Sequence, residues 1–204
     1  MSLSKHELFQ QMLEQINLHH QPEYLPYFEN GEIEQVIVHK KSKLWSFQFV
    51  FDNVLPFEVF TALMNHMKIK FQSIATIDFQ IKTRKPILTN ESILDYWETV
   101  VQRSNISSPL VLSLFAKHTP VVLDNKVVIS VENEITKNHL ADNYLSIIQQ
   151  NYLVLGFPSF QITIEVDEAA SEARMAQYLA RKQEQDEMLV KQAEEAIKQN
   201  QQDR

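Results

Sequence analysis

Trp45-Ser46-Phe47-Gln48-Phe49-Val50-Phe51 sets an aromatic ring at every second position, with smaller or polar residues between. Strand side chains alternate between two faces, so this period of two predicts a half-buried strand with one aromatic face turned to a core. Before it, Ile33 to Val38 is rich in β-branched residues, and Lys40-Lys41-Ser42-Lys43 turns the chain between the two. After it, Pro56 opens a helix carrying Phe57, Phe60, Leu63, Met64, Met67 and Phe71 at helical spacing. Ile77, Phe79 and Ile81 alternate again. Upstream, Ser4-Lys5-His6-Glu7 is a capping box for a helix with Leu8, Met12, Leu13 and Ile16 on one face, and a short turn at Pro26-Tyr27-Phe28-Glu29 is expected to be capped by Gly31. The element order is α-α-β-β-α-β.

Thr83 to Glu91 contains Pro86 and Asn90, shows no periodicity and reads as a linker. The same order then returns. Ile93, Trp97, Val100 and Val101 mark a helix, and Ser108-Pro109 caps and starts a second. Val121–Leu123, Asp124-Asn125 and Val127–Val131 form a hairpin. Asn133 caps a long helix that Gly156 ends, and Phe160, Ile162, Ile164 and Val166 alternate in a last strand. The fold class expected is therefore α+β: a first module over 1–83, a linker over 84–91, a second module over 92–167 and a charged helical tail over 168–204. The tail is rich in Ala, Gln, Glu, Lys and Arg; its apolar Met175, Leu179, Met188, Leu189 and Ile197 keep no strict heptad, while pairs such as Glu194–Lys198 suit a solvated helix.

Composition excludes several chemistries. The 204 residues include no cysteine, which removes disulfides, thiolate metal sites and cysteine nucleophiles and fits a reducing, cytoplasmic setting. The start of the chain has no signal-peptide order, and no apolar run is long enough for a membrane span. Gly31 and Gly156 are the only glycines, so neither a phosphate-cradling loop, nor a dinucleotide fingerprint, nor the GxxG clamp of RNA-binding KH modules can be written. The histidines lack ligand spacing, no serine sits in a nucleophile elbow, and the carboxylates are scattered. No catalytic, cofactor-binding or metal-binding residue is assigned. A net charge of −7 opposes general nucleic-acid binding. The basic run around Lys40, Lys41 and Lys43 either meets phosphate or an acidic partner, or is a solvated turn that guards an edge strand. The stripe Trp45, Phe47, Phe49, Phe51 could imitate a base-stacking sheet, but its neighbours Ile33, Val38, Ile77 and Phe79 are apolar rather than cationic, so it reads as core.

Tyr27-Phe28-Glu29-Asn30-Gly31-Glu32-Ile33, His39-Lys40, Ser42-Lys43-Leu44-Trp45, Leu55-Pro56-Phe57, Asp95-Tyr96-Trp97, Ser108-Pro109 and Gly156-Phe157-Pro158 together resemble the N-terminal region of the PolC-type DNA polymerase III alpha subunit of low-GC Gram-positive bacteria. Ile93-Leu94-Asp95-Tyr96-Trp97, the 121–131 hairpin, Asn133, Asn143-Tyr144-Leu145 and Ile162-Thr163-Ile164 are also similar to the N-terminal domain of the initiator DnaA, which is KH-like without the GxxG loop and recruits replication proteins. A related arrangement occurs in the polymerase-binding domain of the clamp-loader tau subunit.

These resemblances imply a non-catalytic region that docks a replicative polymerase to replisome proteins, with tau first among the partners. The lack of a long apolar run and the net charge of −7 lead us to expect no membrane contact and weak or no direct nucleic-acid binding, and a monomer is expected. The parent would be a DNA-directed DNA polymerase with 3'-5' exonuclease activity, whose Mg²⁺ sites belong to domains beyond Arg204. The alternative is an accessory single-stranded nucleic-acid-binding module; a stand-alone enzyme has no motif to support it. By resemblance to the DnaA helix, Trp97 is the candidate protein contact, set against the reading in which it packs inside its own module.

Overall fold

A computed structural model describes residues 2–202, apart from the side chains of residues 142–143, 170–171, 174, 196–197 and 199–202. The side chains of Asn143 and Ile197, both read above, fall outside the described residues.

The first set of elements is α1 (Lys5–Gln15), α2 (Leu25–Phe28), β1 (Glu32–His39), β2 (Leu44–Phe51), α3 (Phe57–Phe71) and β3 (Thr76–Thr83). The second is α4 (Asn90–Arg103), α5 (Pro109–Lys117), β4 (Val121–Leu123), β5 (Lys126–Val131), α6 (Glu134–Val154) and β6 (Gln161–Val166). A long helix, α7 (Glu168–Gln202), follows. Each set builds one three-stranded sheet in sequential order, β1-β2-β3 and β4-β5-β6. In each, the first pair is antiparallel and the second parallel, joined by a crossover helix, α3 or α6. The repeated α-α-β-β-α-β order is therefore a repeated topology.

Local signals explain the boundaries. Ser4 accepts from the Glu7 amide at 3.1 Å while Glu7 reaches back to the Ser4 amide at 2.7 Å, closing the capping box. The side chains of Thr89, Ser108 and Asn133 cap α4, α5 and α6 by accepting from the amides of Ser92, Val111 and Thr136. At the end of α6, Gly156 has φ +92°. The Phe157 amide bonds the Tyr152 carbonyl and the Gly156 amide bonds that of Leu153, the paired bonds of a Schellman stop.

Gly31 works differently from the expectation. The residue capping α2 is Glu29, and a Cβ on Gly31 would lie 2.4 Å from the Phe9 ring. Glycine is required there by close packing of α1 on the strand that follows, not by helix termination.

The aromatic face of β2 is the centre of the first core. Phe49 and Phe51 are fully enclosed and Phe47 nearly so, with Phe9 set edge-on to both Phe49 and Phe51. Each such ring contributes up to about 3 kcal/mol of burial. The apolar core does not stop at the first sheet. It is continuous through Leu55, Phe60 and Ile81 into Tyr96, Tyr152, Leu155 and Phe157 of the second set. Ile81 and Leu155 form an isolated parallel bridge, and the Thr83 hydroxyl donates to the Gly156 carbonyl. Arg84, just past β3, ties the start of the connecting segment back to the first sheet by pairing with Asp52 at 2.9 Å and Glu32 at 3.3 Å. Among the described residues, no helix is long and apolar enough to cross a membrane.

Candidate protein-contact sites

The basic turn joins β1 to β2. Lys43 adopts φ +50°, the Ser42 hydroxyl donates to the His39 carbonyl at 3.4 Å, and the Lys43 carbonyl accepts from the Thr76 amide at 2.8 Å. The turn is thus fixed to the first residue of β3, while Lys40, Lys41 and Lys43 are all exposed. None of the ion pairs among the described residues involves them. Among the described residues, three cations thus stand without an ion pair at one end of the first sheet.

Farther along the same sheet, the charges are matched. Lys82 meets Glu34 at 2.9 Å, and that hydrogen bond holds the Glu34 carboxyl below its ordinary value. Hydrogen bonds from Asn30 and then Arg84 do the same for Asp52.

Trp97 is not beside the lysines. It lies on α4, 5% exposed, with its indole N–H donating to the Phe115 carbonyl at 3.0 Å and its ring edge-on to that of Phe115. Of the two readings of this residue, the geometry is that of the packed one. Its neighbour Tyr96 is more enclosed still, and faces the first module.

Two of the seven histidines serve the backbone. His6 donates to the Gly31 carbonyl and His66 to the Ile16 carbonyl, each at 2.7 Å. Among the described residues no group of three or more His, Asp or Glu side chains converges where a metal ion could sit. The rings of β2 that could have stacked on bases face the interior, leaving only Trp45 half-buried.

The sequence reading passed over a second feature of the first sheet. Val36, Ile37 and Val38 are 40%, 39% and 48% exposed along β1. The available signal was the uninterrupted Val36-Ile37-Val38, which breaks the alternation that an edge strand with one wet face should show.

The chain matches two family models, described as DNA polymerase III polC-type N-terminus I over residues 8–81 and N-terminus II over residues 95–204. It is 44% identical to a Latilactobacillus sakei protein named DNA polymerase III PolC-type, over 84% of this chain and 12% of the relative. Proteins of the same name from Pediococcus pentosaceus and Bacillus subtilis are 35% and 31% identical, covering 97% and 78% of this chain. The chain spans only 11–14% of the length of these three relatives. No solved structure matches it.

Proposed function

Because the chain belongs to the PolC-type DNA polymerase III family, as an N-terminal region, we propose that it is a non-catalytic docking region that ties a DNA-directed DNA polymerase with 3'-5' exonuclease activity to its replisome partners in the cytoplasm. The clamp-loader tau subunit is the partner of choice, on the resemblance of the second module to recruitment domains of replication proteins. No Mg²⁺ chemistry is assigned to these residues; it would reside in the parent's catalytic domains.

One observation carries this reading: a single apolar core fuses two modules into one body, while sizeable apolar side chains remain outside it. Val36 and Val38 on β1, Leu110 on α5 and Ile135 on α6 are among them. Val36 and Val38 share one groove, and contiguous apolar surface of this kind, unlike a singly exposed side chain, marks an interaction site. Charge favours a protein partner over a polyanion, since the chain carries −7 and the aromatic rings best suited to stacking are enclosed.

The test is a binding titration of the 204-residue chain against purified tau, with a single-stranded oligonucleotide in parallel near physiological salt. A dissociation constant of about 1 μM or tighter for tau, with far weaker oligonucleotide binding, is the expected outcome. The reverse ranking would establish the nucleic-acid reading instead.

A further inference from the structure

The two edges of the first sheet are treated differently. β3 meets the second module through the Ile81–Leu155 bridge, whereas among the described residues no strand pairs with the outer edge of β1. An open edge offers a row of backbone N–H and C=O groups, and proteins usually guard it with charge, proline or a covering element. β1 has one irregularity in register, between Ile33 and Gln35. From Gln35 to Val38 it has neither charge nor proline.

A groove of about 290 Å³ lies beside this edge, lined by Leu8 and Met12 of α1, Val36 and Val38 of β1, Trp45 and Phe71. Val36 and Val38 are two residues apart, so they share one face of the strand. Opposite them on β2 stand Phe47 and Trp45. A strand added outside β1 would place every second side chain over the same groove.

Charge is distributed unevenly along the edge. At its start Glu32 and Glu34 are neutralised by Arg84 and Lys82. At its end Lys40, Lys41 and Lys43 have no carboxylate partner among the described ion pairs.

We infer that β1 receives an extended segment of a partner protein as a fourth strand, with alternate apolar side chains filling the groove and acidic residues at one end meeting the turn lysines. The inference rests on the docking reading and deepens it by naming the surface and the chemistry of the occupant. Main-chain hydrogen bonds supply affinity, the groove selects for alternation, and the lysines select register and speed encounter.

The probes are two synthetic peptides, Asp-Glu-Asp-Val-Thr-Val-Thr-Val and its reverse, covering antiparallel and parallel addition, plus a control of the same composition without alternation. Titrated into the isotope-labelled 204-residue chain, one of the pair should shift the β1 amides and the Trp45 indole resonance, leave the Trp97 indole unmoved, and bind with a dissociation constant below about 1 mM. Val38→Glu introduces a charge at a half-exposed site and should weaken binding at least about tenfold with an unchanged melting curve. Lys40→Glu/Lys41→Glu should weaken it as well and remove most of its salt dependence. If neither peptide moves β1 at millimolar concentration, the inference is overturned. It is equally overturned if the chain instead dimerises through β1 and Val38→Glu makes it monomeric. Tau binding that is unaffected by Val38→Glu sinks strand addition and leaves docking intact. Peptide binding to β1 without any tau binding removes tau as the partner and retains the strand site.

Discussion

The Tyr96 hydroxyl donates to the Leu55 carbonyl at 2.7 Å, with both residues buried, so the two modules are joined by a hydrogen bond inside their common core. Leu55 belongs to the segment between β2 and α3, and Tyr96 to α4. Around the bond, Tyr96 sets its ring edge-on to those of Phe57 and Phe157, at 5.1 Å in each case, and tilted against that of Phe60 at 5.3 Å. One side chain thus fills the apolar seam and also satisfies a backbone acceptor that the seam would otherwise strand away from water.

Tyr96→Phe keeps the ring and deletes the donor, leaving the Leu55 carbonyl unpaired. The expected cost is about 1–3 kcal/mol, the penalty of a buried acceptor without a partner. Chemical denaturation followed by fluorescence and by circular dichroism should show one transition for both probes, moved to lower denaturant. Separate transitions for the two modules in the parent chain would contradict a shared core.

Burial pushes the phenol of Tyr96 far above its ordinary value, and does the same to Tyr152, whose hydroxyl donates to the Ile93 carbonyl at 2.8 Å. The sign of the pH effect follows. Below the ordinary phenol value of 10.0, both folded and unfolded chains keep these protons and stability is unaffected. As pH rises past it, the unfolded chain releases protons that the fold retains, so stability falls. Each tyrosine should contribute a slope of up to about 1.4 kcal/mol per pH unit. Melting temperatures measured between about pH 9 and 11.5 should drop for the parent. They should drop less steeply for Tyr96→Phe/Tyr152→Phe, from a lower starting point.

Much of this architecture is legible in the sequence because its signals are local. Ser4 and Glu7, Thr89, Ser108 and Asn133 act within one turn of the residues they cap, and the ring-bearing alternation of β2 reports its own burial. The seam was not legible, because it joins residues far apart in the chain, such as Leu55 with Tyr96 and Ile81 with Leu155. Its trace is the adjacency of Tyr96 and Trp97. Neighbours in a helix cannot share a face, so two enclosed aromatics in succession mean a helix packed on two sides, Trp97 inward on Phe115 and Tyr96 outward on the first module. The open edge of β1 was hidden for another reason: a β-branched run has the same composition whether or not a neighbouring strand covers it.

Gly31→Ala tests close packing at a position with no unusual backbone. Its Cβ would stand 2.4 Å and 2.8 Å from two atoms of the Phe9 ring and 3.0 Å from Phe51. Because Phe9 is itself hemmed in by Phe28, Phe49 and Phe51, it has little room to yield. A loss of about 1–3 kcal/mol is expected by denaturation. A second variant, Phe9→Leu/Gly31→Ala, should lose less than the two single losses added together.

Trp97 separates into two measurements. Trp97→Ala empties a site 5% exposed and removes the bond to the Phe115 carbonyl, so a loss of about 3–5 kcal/mol is expected. Trp97→Phe keeps most of the ring volume and should leave tau affinity equal to that of the parent. A Trp97→Phe protein that melts close to the parent yet binds tau at least about tenfold more weakly would restore Trp97 to the contact surface.

The boundary at 84–91 can be probed with a protease, provided the enzyme is chosen from the sequence. Trypsin is unsuited to Lys85, because Pro86 follows it. Thermolysin, which cuts before large apolar residues, can reach Ile87, 61% exposed between β3 and α4. A cut there breaks the chain but not the seam, which is held by the Tyr96–Leu55 bond, the Ile81–Leu155 bridge and the bond from the Thr83 hydroxyl to the Gly156 carbonyl. We therefore expect two fragments on a denaturing gel that elute together, at the volume of the uncut body, from a native sizing column. α7, exposed along its described length, should be trimmed in the same digest without altering that association. Fragments that separate on the native column would show that each module stands alone and that the seam is only a contact. Fragments that stay together until about 3–4 M urea and then part and unfold in one step would show that the seam contributes to a single cooperative unit.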